Sequence, residues 1–217
     1  MIKIIATVLV LFVSMQSQAD IVVANNPVAD TVGFYSDGYD SQGQYFYAQS
    51  GAQVFSMEDS HTLSSVEFWG SMNGFNGQGL SNIDCIQVMI WTKDFSAVLF
   101  SDRIDIDTWT VADTGDYNFF GQPVYHFKTQ YTNTLKAGTY AIGIGAILND
   151  ASGDQMVWSQ GANTQSFYYT SNPNWGTWQV LPLGIGNTAG GAFVLNAPAP
   201  GALALLGLGG LLATRRR

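Results

Sequence analysis

The sequence predicts an all-β fold, a two-sheet antiparallel sandwich of jelly-roll-like form. Three observations predict it. Helix-favouring charged residues are scarce: the 217 residues hold eight Lys+Arg, and Glu58 and Glu67 are the sole glutamates. Residues that favour strands and turns are plentiful, with 24 Gly, 13 Phe, 10 Tyr and 6 Trp. Short β-patterned runs recur along the chain with turn residues between them, and no body segment carries a 3.6-residue apolar period.

Taken in order, the chain opens with Lys3, then an apolar run from Ile4 to Val13 interrupted by Thr7. Ser17-Gln18-Ala19 places small residues at −3 and −1 of a cleavage point before Asp20. This is the pattern of a secretory signal peptide, residues 1–19, a helix handled by the Sec translocon and signal peptidase. No Cys follows the run to carry a lipid.

Asp20 to Asp40 is turn-rich with weak strand signal. Strands are predicted at Tyr45–Ala48, Gln53–Met57, Ser64–Trp69, Ile83–Thr92, Ala97–Ile106, Val124–Gln130, Gly138–Ala146, Met156–Gln160, Gln165–Thr170, Trp178–Leu181 and Ala192–Asn196. Ser64–Trp69 and Thr139–Ile144 alternate as half-buried strands do. Gly70–Asn82 and Asp107–Gln122 read as long loops. The strands lie in one domain, residues 20–196, long enough for a real core.

The chain closes on residues 197–217. Pro198-Ala199-Pro200 precedes an apolar run, Gly201–Ala213, and then Arg215-Arg216-Arg217. As a helix the run covers roughly 20 Å, against a bilayer core of about 30 Å, so it is a short and marginal span. Its four glycines weaken it by about 1 kcal/mol each against Ala. The arginines keep their end cytoplasmic, which places the body outside. Pro198-Ala199-Pro200, the Ala202–Leu208 run and the arginine cluster resemble the PEP-CTERM sorting signal of Gram-negative bacteria, with Ala199 standing where that signal has Glu. The resemblance implies an exosortase-type protease as partner, transient residence in the inner membrane, and delivery to the cell surface or beyond. Around Ser65–Gly70, Leu135–Ile144 and Ala192–Leu195 the body resembles an uncharacterised sandwich type carried by such proteins, which implies no active site.

Without residues 1–19 and 197–217 the body holds four cations, Lys93, Arg103, Lys128 and Lys136, against sixteen acids, a net charge of −12. So acidic a body disfavours nucleic acid and anionic membranes as partners. Cys85 is the single cysteine, which excludes an internal disulfide, and its strand-like setting reads as a buried thiol.

Nucleophilic catalysis would need His61 or His126 as base, and no Gly-x-Ser-x-Gly elbow accompanies them. A carboxylate pair would have to draw on Glu58, Glu67 or unselected aspartates, which read as solvated loop acids. One Cys and two distant His make no zinc site. Asn149–Asp154, and the set Asp102, Asp105 and Asp107, offer calcium oxygens without EF-hand spacing and read as turn formers. The expectation is a non-catalytic exported protein without cofactor. The alternative is a glycan-binding module using Trp175 and Trp178, two indoles in the loop Asn172–Trp178 that could stack on sugar rings of a polysaccharide.

Overall fold

A computed structural model of the chain describes residues 20–28, 33–35, 37–41, 44–73, 79–149, 155–162, 167–170, 179–180 and 190–198. Its elements are β-strands and short 3₁₀ turns, with no α-helix among the described residues. The strands are β1 (Asp20–Asn25), β2 (Phe34–Tyr35), β3 (Asp37–Ser41), β4 (Gln44–Met57), β5 (His61–Thr62), β6 (Ser65–Asn73), β7 (Ile83–Thr92) and β8 (Val98–Asp105). They continue with β9 (Thr110–Tyr117), β10 (Pro123–Gln130), β11 (Thr134–Leu135), β12 (Gly138–Leu148), β13 (Gln155–Trp158), β14 (Phe167–Thr170), β15 (Gln179–Val180) and β16 (Phe193–Ala197).

Two seven-stranded sheets carry the fold. The first runs β1-β16-β6-β10-β9. On one side of β6, β16 pairs with Ser65–Phe68 and β13 takes over at Gly70–Asn73, with β2 beyond it. The second runs β15-β14-β4-β3-β12-β7-β8, and the latter half of β4 also pairs with β12. Among the described residues the pairings are antiparallel except β12 with β3. A two-stranded sheet, β5 with β11, stands apart.

The faces follow from strand alternation. Val66 and Phe68 of β6, Phe127 of β10, Phe193 and Leu195 of β16, and Ile86 and Ile90 of β7 with Ile142 and Ile144 of β12 all join one core cluster. Phe68 stacks on Phe127 with centroids 4.5 Å apart, and Trp109 meets Phe68 edge-on at 5.4 Å. Trp158 is fully buried and donates its indole N–H to the Ala192 carbonyl at 2.8 Å. The opposite side of β7 is also buried: Met89 and Trp91 form a smaller cluster with Ala52 and Ala141. Trp91 lies over Gly143, where a Cβ would come 2.8 Å from the ring; the glycine is there to let the indole lie down.

Four readings of the sequence need correction. Gly70–Asn82 is not all loop: Gly70–Asn73 continue β6, paired with β13, and Gly79–Asn82 form a 3₁₀ turn. Asp20–Asp40, read as turn-rich, holds β1, β2 and most of β3, which take their places from distant strands. Asp107–Gln122 is not a loop: it holds a 3₁₀ turn, Ile106–Thr108, and strand β9. β9 is an edge strand whose residues are mostly exposed, so its two faces do not differ enough to alternate. Tyr45–Ala48 and Gln53–Met57 are one strand, β4. Ser50 and Gly51, which look like a break, are paired with Thr170 and Tyr169 of β14.

Candidate functional site

The outer face of the first sheet gathers side chains that the sequence scatters. Alternation puts Glu67 and Trp69 of β6 on the side away from Phe68, and His126 and Lys128 of β10 away from Phe127. Register makes His126 the cross-strand partner of Trp69, and Lys128 that of Glu67. The His126 ring stacks on Trp69 with centroids 4.5 Å apart and planes 13° from parallel. Glu67 stands at the centre: its Oε2 lies 2.9 Å from His126 Nε2, and its Oε1 lies 2.8 Å from Lys128 Nζ and 2.9 Å from Asn196 Nδ2. An ionised carboxylate can only accept, so the His126 ring carries its proton at Nε2. Asn196, buried on β16, donates also to Ser65 Oγ at 3.0 Å.

Burial alone would raise the Glu67 pKa. The hydrogen bond and charge of Lys128, then those of His126, outweigh it and hold the carboxyl below its ordinary range. Glu67 is therefore an ionised acceptor with both oxygens engaged, poorly placed to act as a proton shuttle. His126 is tied to it on one side and to an indole on the other. The other candidates are also in structural use. Asp105 caps the 3₁₀ turn by accepting from the Asp107 N–H at 3.0 Å. Asp102 accepts from Asn133 Nδ2 at 3.0 Å. His61 is paired with Leu135 at the two-stranded sheet, and Glu58 is exposed beside it. Among the described residues no three His, Cys, Asp or Glu side chains come together to hold a metal ion. Asn149 bonds Asn82 and Ser81, while residues 150–154 lie outside the described residues.

Cys85 is buried, and its thiol is pushed up to about 11, first by burial and then by the neighbouring Asp84 charge. Tyr131 is held protonated far above its usual range by burial and by Asp102. Asp20 is the first residue of β1 and Pro198 the last described residue of the C-terminal stretch. Ser17, Ala19, Trp175, Trp178, Ala199, Pro200 and Arg215–Arg217 lie outside the described residues. Among the described residues no helix is long and apolar enough to cross a membrane.

A second surface feature was hidden in the stretch read as loop. The β9–β10 hairpin ends in Tyr117-Asn118-Phe119-Phe120-Gly121-Gln122, and Tyr117, Phe119 and Phe120 are 57%, 69% and 54% exposed. Two adjacent phenylalanines beside Gly121 were the signal available in the sequence, and without knowledge of the hairpin they read as any loop aromatics.

No protein-family model matches the chain, and no curated protein matches it. Solved structures give low-scoring likenesses. The CBM3a-L domain with flanking linkers from scaffoldin cipA of the Clostridium thermocellum cellulosome aligns over 82% of this chain and 95% of its own, at 9% identity and TM-score 0.27. A CocE/NonD family hydrolase from Staphylococcus aureus aligns over 80% of this chain and 36% of its own, at 7% identity and TM-score 0.32. A family 3a carbohydrate binding module from the same Clostridium thermocellum scaffolding aligns over 69% of this chain and 99% of its own, at 10% identity and TM-score 0.26. At these scores none of the three bears on what the chain does.

Proposed function

We propose that the protein is an exported, non-catalytic surface or extracellular-matrix protein, sorted through a C-terminal PEP-CTERM-type segment. In this reading the two sheets form a jelly-roll-like sandwich between a signal helix and a short apolar helix. The observation that carries the reading is a register pair: Asp20, the first residue after the predicted cleavage, sits opposite Ala197, the last residue of β16. The segments before and after the body leave it side by side, at one end of one strand pair. Removing both takes only the terminal pair, Asp20 with Ala197, and leaves the other pairings of β1 and β16 in place. The non-catalytic part is supported by Glu67, His126, Asp102 and Asp105, each engaged in structural bonds.

The test is to follow the chain in a bacterium that carries an exosortase. The product should begin at Asp20 and lack the arginine end. Replacing Arg215, Arg216 and Arg217 by Ala should leave it unsorted; normal sorting of that variant would overturn the reading. A polysaccharide met at Trp175 and Trp178 is the second reading. It is favoured by the other four tryptophans, which are engaged in packing: Trp91, Trp109 and Trp158 are buried and Trp69 lies against His126. Trp175→Ala with Trp178→Ala should abolish retention on a neutral polysaccharide while the domain stays folded.

A further inference from the structure

We propose that the tip of the β9–β10 hairpin, Tyr117–Gln122, is a lipid-insertion element that seats Phe119 and Phe120 in the interface of an electrically neutral bilayer. The inference stands apart from the sorting and glycan readings and rests on four observations.

The first is that four amides of the tip, those of Asn118, Phe120, Gly121 and Gln122, are already bonded within it. Asn118 is buried, and its Oδ1 accepts from the N–H groups of Phe120 at 2.9 Å and Gln122 at 3.0 Å. Its Nδ2 donates to Gln122 Oε1 at 2.9 Å, and Gln122 Nε2 donates onward to Asn73 Oδ1 at 2.6 Å. Gly121, at φ 74°, gives its N–H to the Asn118 carbonyl and turns the chain. Amides engaged in this way lose little on entering a medium that offers few hydrogen bonds, and a seat in the bilayer interface leaves the carbonyls of Phe119, Phe120 and Gly121 to water and headgroups.

The second is that the apolar groups are left in water. Both phenylalanines are exposed at the turn of the hairpin. The third is their geometry: the rings stand 82° apart at 5.6 Å. Orthogonal rings cannot both lie flat along one saccharide chain, whereas acyl chains accommodate any orientation. The fourth is charge. In the hairpin Thr110–Gln130 the charged residues near the tip are Asp113 and Asp116, while Lys128 lies toward the far end, paired with Thr110. With a net charge of −12 on the body, anionic lipid is repelled, and so is a second copy of the chain.

Register also gives direction. Gln130 and Asn196 flank Ser65 at one end of β6, beside the Asp20–Ala197 pair, while the tip bonds Asn73 at the other end. The tip therefore points away from the end where the terminal segments leave the body.

The experiment uses protein collected after export, carrying Phe119→Trp, and vesicles of brominated phosphatidylcholine. Quenching of the added indole reports on the tip alone and is blind to any other membrane contact. The expected result is quenching beyond that of the parent protein. It should weaken as phosphatidylglycerol replaces phosphatidylcholine. Without Phe119→Trp, the double variant Phe119→Ala, Phe120→Ala should lower partition of the protein to neutral vesicles by about a hundredfold, each seated phenylalanine contributing on the order of tenfold. An indole at 119 that neutral vesicles never quench overturns the proposal. Emission at 119 that ignores vesicles but shifts with protein concentration overturns it in favour of self-association.

Discussion

The Glu67 face and the hairpin tip lie on the same sheet and treat their side chains in opposite ways. On the face, every polar atom of Glu67 is engaged, and the aromatic surface of Trp69 is covered by His126. At the tip, Asn118 accepts from two backbone amides, yet Phe119 and Phe120 stand exposed against each other. A titratable cluster attracts attention as a site, but this one is complete in itself. Among the described residues the tip leaves aromatic area exposed, and the hydrophobic effect acts on that area where no hydrogen bond can relieve it. The contrast teaches that charge density is a poor guide to function here, and unsatisfied environment a better one.

The sharpest way to break the comparison is to truncate one aromatic in the core behind Glu67 and one at the tip. Phe68→Ala removes a fully buried ring that stacks on Phe127 and meets Trp109. It should cost about 3–5 kcal/mol in urea unfolding. Phe119→Ala should stay within about 0.5 kcal/mol of the parent, as surface changes do. Comparable losses from the two would mean the tip is part of the core.

Glu67 comes next. Glu67→Ala strands His126 Nε2, Lys128 Nζ and Asn196 Nδ2 without their acceptor, at about 1–3 kcal/mol. The carboxyl is held below its ordinary value of 4.5 in the folded protein. A depressed acid contributes stability that is present above the unfolded value and is lost as pH falls through the folded one. The gap between the parent and Glu67→Gln should therefore be full at neutral pH and shrink on acidification below about pH 4.5. A gap that does not change with pH would show that Glu67 matters by packing rather than by charge.

How much of this was legible in the sequence depends on what each residue borders. Ile83–Thr92 was found with its bounds intact because nine of its ten residues are buried or nearly so and seven of them are apolar. β12 began at Gly138 as expected, but Ala141–Ile144 are buried on both faces instead of alternating as a half-buried strand, because the core lies on one side and Trp91 with Ala52 on the other. β9 went unseen because an edge strand bonded on one side needs no apolar face. β1 went unseen for a related reason: half its residues are exposed, and its place is set by β16, 170-odd positions away, at about the full length of the body. The Glu67 cluster needed register. Alternation alone placed Glu67 with Trp69, and His126 with Lys128, but no local signal says that β10 lies beside β6 with His126 opposite Trp69.

A smaller effect sharpens the description of the tip. Asn118→Ala leaves both phenylalanines in place and removes the acceptor for the Phe120 and Gln122 amides. It should cost about 1 kcal/mol. Hydrogen exchange at Phe120 and Gln122 should quicken, while that of Phe127 in mid-strand should not change. If exchange at the tip is unaltered, the turn is held by Gly121 and the strands rather than by Asn118, and the internal bonding of the tip's amides loses its main support.

The smallest effect at neutral pH belongs to Cys85, which shares with Glu67 a titratable group in structural use but has its shift in the other direction. Its thiol is buried and raised from an ordinary 9.0 to about 11, so at neutral pH it is uncharged in both the folded and the unfolded chain. Cys85→Ala should then cost only what a lost buried sulfur atom costs, about 1 kcal/mol. The titration appears at high pH. A raised thiol contributes stability that is fully present below the unfolded value near 9 and is lost as pH rises through about 11, because the unfolded chain releases its proton first. The parent should lose stability faster than Cys85→Ala between pH 9 and 11, and the two curves should converge. Tyr131, raised as well, falls out of the difference because both proteins carry it. Alkylation gives the same answer independently: iodoacetamide at pH 8 should label Cys85 only as fast as the domain opens. Rapid labelling of the native protein, with parallel stability curves, would show that β7 is accessible on its outer side.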